Sequence, residues 1–231
     1  MEAARIFPQQ PLSPMVSYAQ NYEDVALRRA LPDISSGFWI DIGAYHPTMH
    51  SVTKWFSDHG WSGVNVEPNP AFLAQLKTGR PHDINIGAVV GAQTGEVDFH
   101  VIGDTGLSTA LPALVDMQAK RGFPTTEIIR VPVMTLDDLM GDATREIDFL
   151  KIDAEGYEAE IICACAFAKR PRILLIEDGP GFHDHLTECD YVFVWFDGIN
   201  RFYVRSEDAW RGELLARPPS IFDNFTCSVQ P

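Results

Sequence analysis

Acidic residues stand directly after three apolar runs of this sequence: Glu67 after VNV, Asp153 and Glu155 after FLKI, and Glu177-Asp178 after ILLI. Carboxylates in such places can accept hydroxyl hydrogens, exchange protons or bind a hard cation. Which of these they do depends on what brings them together. In an open α/β sheet ligands collect beyond the carboxyl ends of the strands, and an acidic residue on the second strand can accept both hydroxyls of a ribose.

The element that would deliver Glu67 runs from Phe38 to Pro70. Phe38, Trp39, Ile40 and Ile42 form a buried-strand pattern that closes at Gly43. Met49, Val52, Trp55 and Phe56 then share one helical face, and Gly60 and Gly63 end the helix. Val64-Asn65-Val66 makes the next strand. The interval from Gly43 to Glu67 is close to the roughly 20 residues of a nucleotide-binding βαβ unit. The turn reads G-A-Y-H-P, without the G-x-G-x-x-G that brings a helix N-terminus to a pyrophosphate, so dinucleotides are disfavoured. A nucleoside without phosphates, such as S-adenosylmethionine, needs only one close glycine and the ribose carboxylate.

The 231 residues, 45% hydrophobic and 22% charged, suffice for one full core. A net charge of −14, from 18 Lys and Arg against 32 Asp and Glu, opposes nucleic acid as a partner. The four cysteines form no C-x-x-C pair and read as buried, reduced thiols. The start of the sequence carries no signal-peptide core and no run reaches a membrane span, so a cytoplasmic protein without a transmembrane segment is expected. Residues 1–16 read as an extended Pro-rich arm and 17–231 as one domain.

Tyr18, Tyr22, Val25 and Ala26 predict a helix from Ser17 to Leu31, with Gln20, Glu23 and Asp24 on its polar side. Asn69-Pro70 opens a short helix. Ile84–Val90 predicts a third strand in which Gly87 lets a flat ring approach the backbone. Residues 103–124 read as a long irregular stretch. Ile128–Met134 and Ile147–Ile152 are further strands, and Gly156 opens a helix through Cys165. Tyr191–Arg205 is a hairpin through Asp197-Gly198, placing an antiparallel strand at the edge of an otherwise parallel sheet.

In this order YAQNYEDVAL, DIGAYHP, SVTKWFSDHGWSGVNVEPNP, GLST, VPVMTLDDL, DFLKIDAEGYE, ILLIED and FDGINRFYV resemble the FkbM family of S-adenosylmethionine-dependent methyltransferases. The resemblance implies an α/β, Rossmann-like class I methyltransferase fold: a seven-stranded, mostly parallel sheet with its last strand antiparallel. It implies O-methylation, with a sugar or glycoconjugate hydroxyl as acceptor. It places Asp41, Gly43 and Ala44, with Asp153, at the methionine end of the cofactor, Glu67 at the ribose, Gly87 and Ala88 at the adenine, and Gln20 and Glu23 over it from the N-terminal helix.

Methyl transfer to a hydroxyl needs an aligned acceptor and a base. Glu155, beside Asp153, is the expected base, and His46 the runner-up. Asp153, Glu177 and Asp178 on adjacent strand tips form a candidate Mg²⁺ site. Trp195, Asn200, Arg201 and Tyr203 follow as candidate acceptor contacts. A polyketide or other small-molecule hydroxyl is the alternative acceptor, and a non-catalytic cofactor- or partner-binding module is the alternative class. A homo-oligomer is compatible with the sequence.

Overall fold

The computed structural model describes residues 12–228. In chain order the elements are β1 (Met15–Ser17), α1 (Glu23–Ala30), β2 (Phe38–Ile42), α2 (Lys54–Asp58), β3 (Ser62–Val66), α3 (Pro70–Gly79), β4 (Ile84–Ile86), β5 (Val89–Gly91) and β6 (Gly95–Val101). There follow α4 (Pro112–Lys120), β7 (Glu127–Thr135), α5 (Leu136–Gly141), β8 (Phe149–Ile152), α6 (Glu158–Ala164), β9 (Ile173–Glu177), α7 (His183–Glu188), β10 (Tyr191–Phe196), β11 (Asn200–Arg205), α8 (Gly212–Leu215) and β12 (Phe225–Cys227). Among the described residues no helix is long and apolar enough to cross a membrane.

The main sheet has the order β10-β11-β9-β8-β2-β3-β4, and β4, β3, β2, β8 and β9 are parallel neighbours. Alternation along these strands builds two cores. Ile40, Ile42, Leu150, Ile152, Leu174 and Ile176 face α5, α6 and α7. Trp39, Phe149, Ile173, Leu175, Phe202 and Val204 face α1, α2 and α8. Each fully buried aliphatic or aromatic side chain contributes ~1.5–3 kcal/mol, so both faces are committed to packing and only the strand ends remain for chemistry.

The expectation of one seven-stranded sheet with an antiparallel edge is corrected in two ways. Five further strands form two smaller sheets, β5-β7-β6 and β1-β12. The antiparallel strand β11 also lies inside the main sheet, between β9 and β10. Phe202, Tyr203 and Val204 are buried, whereas Val192, Phe193 and Phe196 of β10 are exposed, so β11 takes the inner position.

Other boundaries move for local reasons. The helix expected from Ser17 begins at Glu23, because the buried Asp24 carboxylate accepts hydrogen bonds from Ser17 Oγ at 2.6 Å and Tyr18 N at 2.8 Å. Residues 17–22 wrap around that side chain instead of continuing the helix. The expected Pro-rich arm falls on residues 1–11, outside the described residues, except for its last part, which enters β1 and pairs with β12. The helix after β2 is only α2, since His50 holds a left-handed φ of +56° and the chain turns helical only after Thr53. Ile84–Val90 divides between β4 and β5, which belong to different sheets. The stretch 103–124 contains α4, with Pro112 in its first turn. Cys165 lies just past the end of α6. All four cysteines are free, but Cys163 and Cys227 are exposed rather than buried.

Candidate active site

The carboxyl ends of β2, β3, β8 and β9, the start of α1 and the 105–110 segment enclose a cavity of about 410 Å³, within the range of small-molecule sites. Its polar lining includes Glu23, Asp41, Glu67, Lys151, Asp153, Glu155, Glu177 and Asn200. Phe72, Ala88, Val89, Val90 and Phe99 form an apolar wall.

The turn after β2 explains why a single glycine suffices. Gly43 adopts φ +74°, and a Cβ there would lie 1.8 Å from the carbonyl oxygen of Asp153. The close approach is therefore between the tips of β2 and β8, not with a ligand. Gly43 N and Ala44 N donate to Val66 O at 3.0 and 3.2 Å, and Tyr45 N donates to Glu67 Oε2 at 2.8 Å. These amides are consumed by β3 and cannot cradle a phosphate, in line with the missing glycine-rich loop.

Glu67 is buried at the tip of β3, and its second oxygen accepts from Asn69 N at 2.8 Å. Burial pushes its pKa up to about 7 against the pull of these two amides. Each carboxylate oxygen keeps a further lone pair for a ligand hydroxyl. From the opposite rim Glu23, buried and raised to about 7 by burial, accepts from Asn200 Nδ2 at 2.8 Å and Asn21 N at 2.8 Å. This contact ties α1 to the first residue of β11.

The run after β8 folds as a tight polar tip. Glu155 holds φ +48° and Gly156 φ +98°, and a left-handed non-glycine residue costs ~1–2 kcal/mol. Three contacts hold the tip: Thr109 Oγ1 donates to Glu155 O at 3.1 Å, and Glu158 Oε1 accepts from Ala154 N at 2.7 Å and Gly156 N at 3.3 Å. A Cβ on Gly156 would meet Leu111 and Leu114 at 2.8 Å, so glycine also lets the 111–114 segment close down. Burial, then Asp153, Glu177 and Glu158, push Glu155 up to about 8. Glu177 is raised by burial and by Asp153.

Lys151, which the sequence reading passed over, lies beneath this tip. Its Nζ is 3.3 Å from Asp41 Oδ1, 3.4 Å from Asp153 Oδ2 and 3.1 Å from Gly43 O. Burial works against its charge, yet the two aspartates raise its pKa above the usual lysine value. Asp41, fully buried, is raised by that burial.

Of the residues expected at the site, Gln20, Glu23, Asp41, Gly43, Ala44, Glu67, Ala88, Asp153, Glu155, Glu177 and Asn200 line the cavity. The others are placed elsewhere. Gly87 does not border it; its missing side chain makes room for Leu73, 2.7 Å from where a Cβ would be. His46 turns its Nδ1 to the amides of Thr48 and Met49 at 3.1 and 2.9 Å, which occupies the nitrogen a base would use. Trp195 stacks on Phe202 in the core facing α1. Tyr203 is buried in the opposite core, its hydroxyl 3.2 Å from His183 Nδ1. Arg201 pairs with Asp178 and lies over the Phe193 and Phe196 rings. The Mg²⁺ expectation is corrected on the same ground. Asp178 is committed to Arg201, and among the described residues no three His, Cys, Asp or Glu side chains are grouped to hold a metal.

The profile of the methyltransferase FkbM domain matches residues 41–197, more than half of the chain. The chain belongs to that family. The matched segment starts at Asp41 on β2 and ends at Asp197, so an FkbM domain supplies Glu67, Lys151, Asp153, Glu155 and Glu177, while Gln20, Glu23 and Asn200 reach the cavity from outside it. Two solved structures are similar to this FkbM chain. One is a TehB-like SAM-dependent methyltransferase from Corynebacterium glutamicum ATCC 13032 Kitasato, with 11% identity, 78% of this chain and 87% of that chain covered, and a TM-score of 0.39. The other is precorrin-6y C5,15-methyltransferase from Geobacter metallireducens GS-15, with 14% identity, 84% and 91% covered, and a TM-score of 0.39. No curated protein matches the chain.

Proposed function

We propose that this FkbM-family methyltransferase uses S-adenosylmethionine to methylate a hydroxyl of an uncharged sugar or glycoconjugate. The observation that carries the reading is the buried Glu67 carboxylate, held by two backbone amides at the tip of β3 inside a nucleoside-sized cavity. The residues present fit the cofactor. Glu67 would hold the ribose hydroxyls, the apolar wall around Ala88 and Val90 would take the adenine, and the acidic tips of β2 and β8 would face the methionine end. S-adenosylmethionine supplies an electrophilic methyl group on a sulfonium.

The chain's own part is to orient the acceptor and remove its proton. Glu155 is the base: it is fixed at the rim by its strained backbone and by Thr109, and its high pKa makes it a strong proton acceptor once ionised. Thr105, Ser108, Asn200 and Tyr157 offer further hydrogen-bonding and stacking groups to a saccharide. The lining carries six carboxylates but only Lys151 as a Lys or Arg, and Lys151 is already shared by Asp41 and Asp153, which disfavours phosphorylated acceptors.

The test is transfer of labelled methyl from S-adenosylmethionine to panels of neutral glycans, nucleotide sugars and polyketide alcohols, for wild type and Glu155→Gln. Label in a neutral glycan, lost in the variant, is the expected outcome. Label confined to polyketide alcohols or nucleotide sugars would contradict the acceptor assignment.

A further inference from the structure

The tips that line the cavity succeed one another across the sheet as β3, β2 and β8. With the ribose at Glu67, a nucleoside laid along these tips carries its amino-acid tail over Gly43 and on to Asp153, two strand spacings or roughly 10 Å away. Asp153 suits an ammonium group: its side chain is 39% exposed and lines the cavity, with Lys151 Nζ 3.4 Å from its Oδ2. Lys151 does not suit direct binding. It is 9% exposed, its Nζ donates to Gly43 O at 3.1 Å, and the carboxylates of Asp41 and Asp153 lie 3.3 and 3.4 Å from it.

The arrangement around Lys151 is nevertheless built. Asp41 and Lys151 are register partners on adjacent parallel strands, so both side chains leave the same face of the sheet. Asp41 is braced from behind, with Thr53 Oγ1 donating to its Oδ2 at 3.3 Å and Arg80 Nη2 donating to Thr53 Oγ1 at 3.1 Å. Arg80 is in turn held by Asp83 at 2.6 Å. This chain ends at Asp153, the more exposed of the two aspartates that line the cavity. Around Asp153 the lining brings Glu155 and Glu177 together with a single Lys or Arg, Lys151, which Asp41 shares, so the acids outnumber the cation.

We infer that Lys151 is a positioning residue that aims the Asp153 carboxylate at the amino-acid end of the cofactor and so makes the cavity select for that end. The inference rests on the cofactor reading above. It assigns a function to the lysine of DFLKIDAEGYE: it acts through Asp153 and touches no ligand.

Calorimetric titration with S-adenosylhomocysteine and with 5′-methylthioadenosine, which lacks the amino-acid tail, separates this role from simple support of the fold. In Lys151→Met, affinity for S-adenosylhomocysteine should fall at least tenfold while affinity for 5′-methylthioadenosine stays within twofold. Asp153→Asn should behave alike, and the double variant should lose no more than either single one. If both ligands weaken together in Lys151→Met, or S-adenosylhomocysteine binding is unchanged in Asp153→Asn, the inference is overturned. The second arm holds even where Lys151→Met does not fold, because Asp153 is partly exposed. Binding of neither ligand by the wild type would instead overturn the cofactor reading itself.

Discussion

Glu155 combines three properties seldom found together: a left-handed backbone, a place at the rim of the cavity, and a pKa raised to about 8 by burial and three neighbouring acids. As a base it works only when ionised, so kcat/KM should rise with pH through the neutral range and level off above about 8. Glu155→Gln should lower kcat by about 10²–10⁴-fold and flatten that profile, with cofactor affinity little changed. An unchanged profile in the variant would assign the proton to another group. Gly43 allows a different prediction. Gly43→Ala must place a Cβ where the Asp153 carbonyl lies, at a positive φ, and should cost more than ~2 kcal/mol in urea unfolding. At this scale the strand-tip acids were legible because an acid after an apolar run has few other places to go. Lys151 was not, since a lysine inside a strand reads as a surface residue until its two aspartates are known. Trp195 and Tyr203 were misread because aromatic residues on a strand look alike whether they face a ligand or a core.

Elements show the same split between pattern and partner. The parallel βαβ units could be read from the apolar runs and their spacing, and β2, β3, β8 and β9 lie where those runs are. The hairpin order could not, because YVFVWF is at least as apolar as NRFYVR, yet the second strand is the buried one. What decides it is β11 pairing with β9 from Asn200↔Glu177 onward, a long-range choice. The start of α1 was likewise hidden in one side chain. Asp24 accepts from Ser17 Oγ, Tyr18 N and Val25 N while buried, so Asp24→Ala leaves donors unpaired. A loss of about 1–3 kcal/mol is expected from this, measured by urea denaturation, and Glu23 at the cavity should lose order with it. Stability equal to wild type would show that the turn is held by other contacts.

Across the whole molecule the buried carboxyls set an unusual dependence of stability on pH. Burial pushes Asp24 up to about 6, Glu23 and Glu67 to about 7 and Glu155 to about 8. In the unfolded chain these groups titrate near 4. Between those values the folded state binds more protons, so stability falls as pH rises. The contribution is full below the unfolded values and is lost as pH passes through 6 to 8. Asp33, held low by its hydrogen bonds to Arg211, gives the opposite slope only at the acid end. The melting temperature should therefore be highest near pH 4 and decline towards pH 8; a steady rise over that range would show that these carboxyls are ionised in the folded protein. Six of the 32 Asp and Glu residues line this cavity against one lysine, an acidic lining that suits a cationic cofactor.

The central claim is that the tip of β3 holds a nucleoside through Glu67, and calorimetry with S-adenosylhomocysteine tests it most directly. Wild type should bind one equivalent, and Glu67→Ala, checked for folding by its melting curve, should bind at least tenfold more weakly. Equal binding by the two proteins would remove Glu67 from the site. No binding by folded wild type would contradict the account of the cavity as a cofactor site.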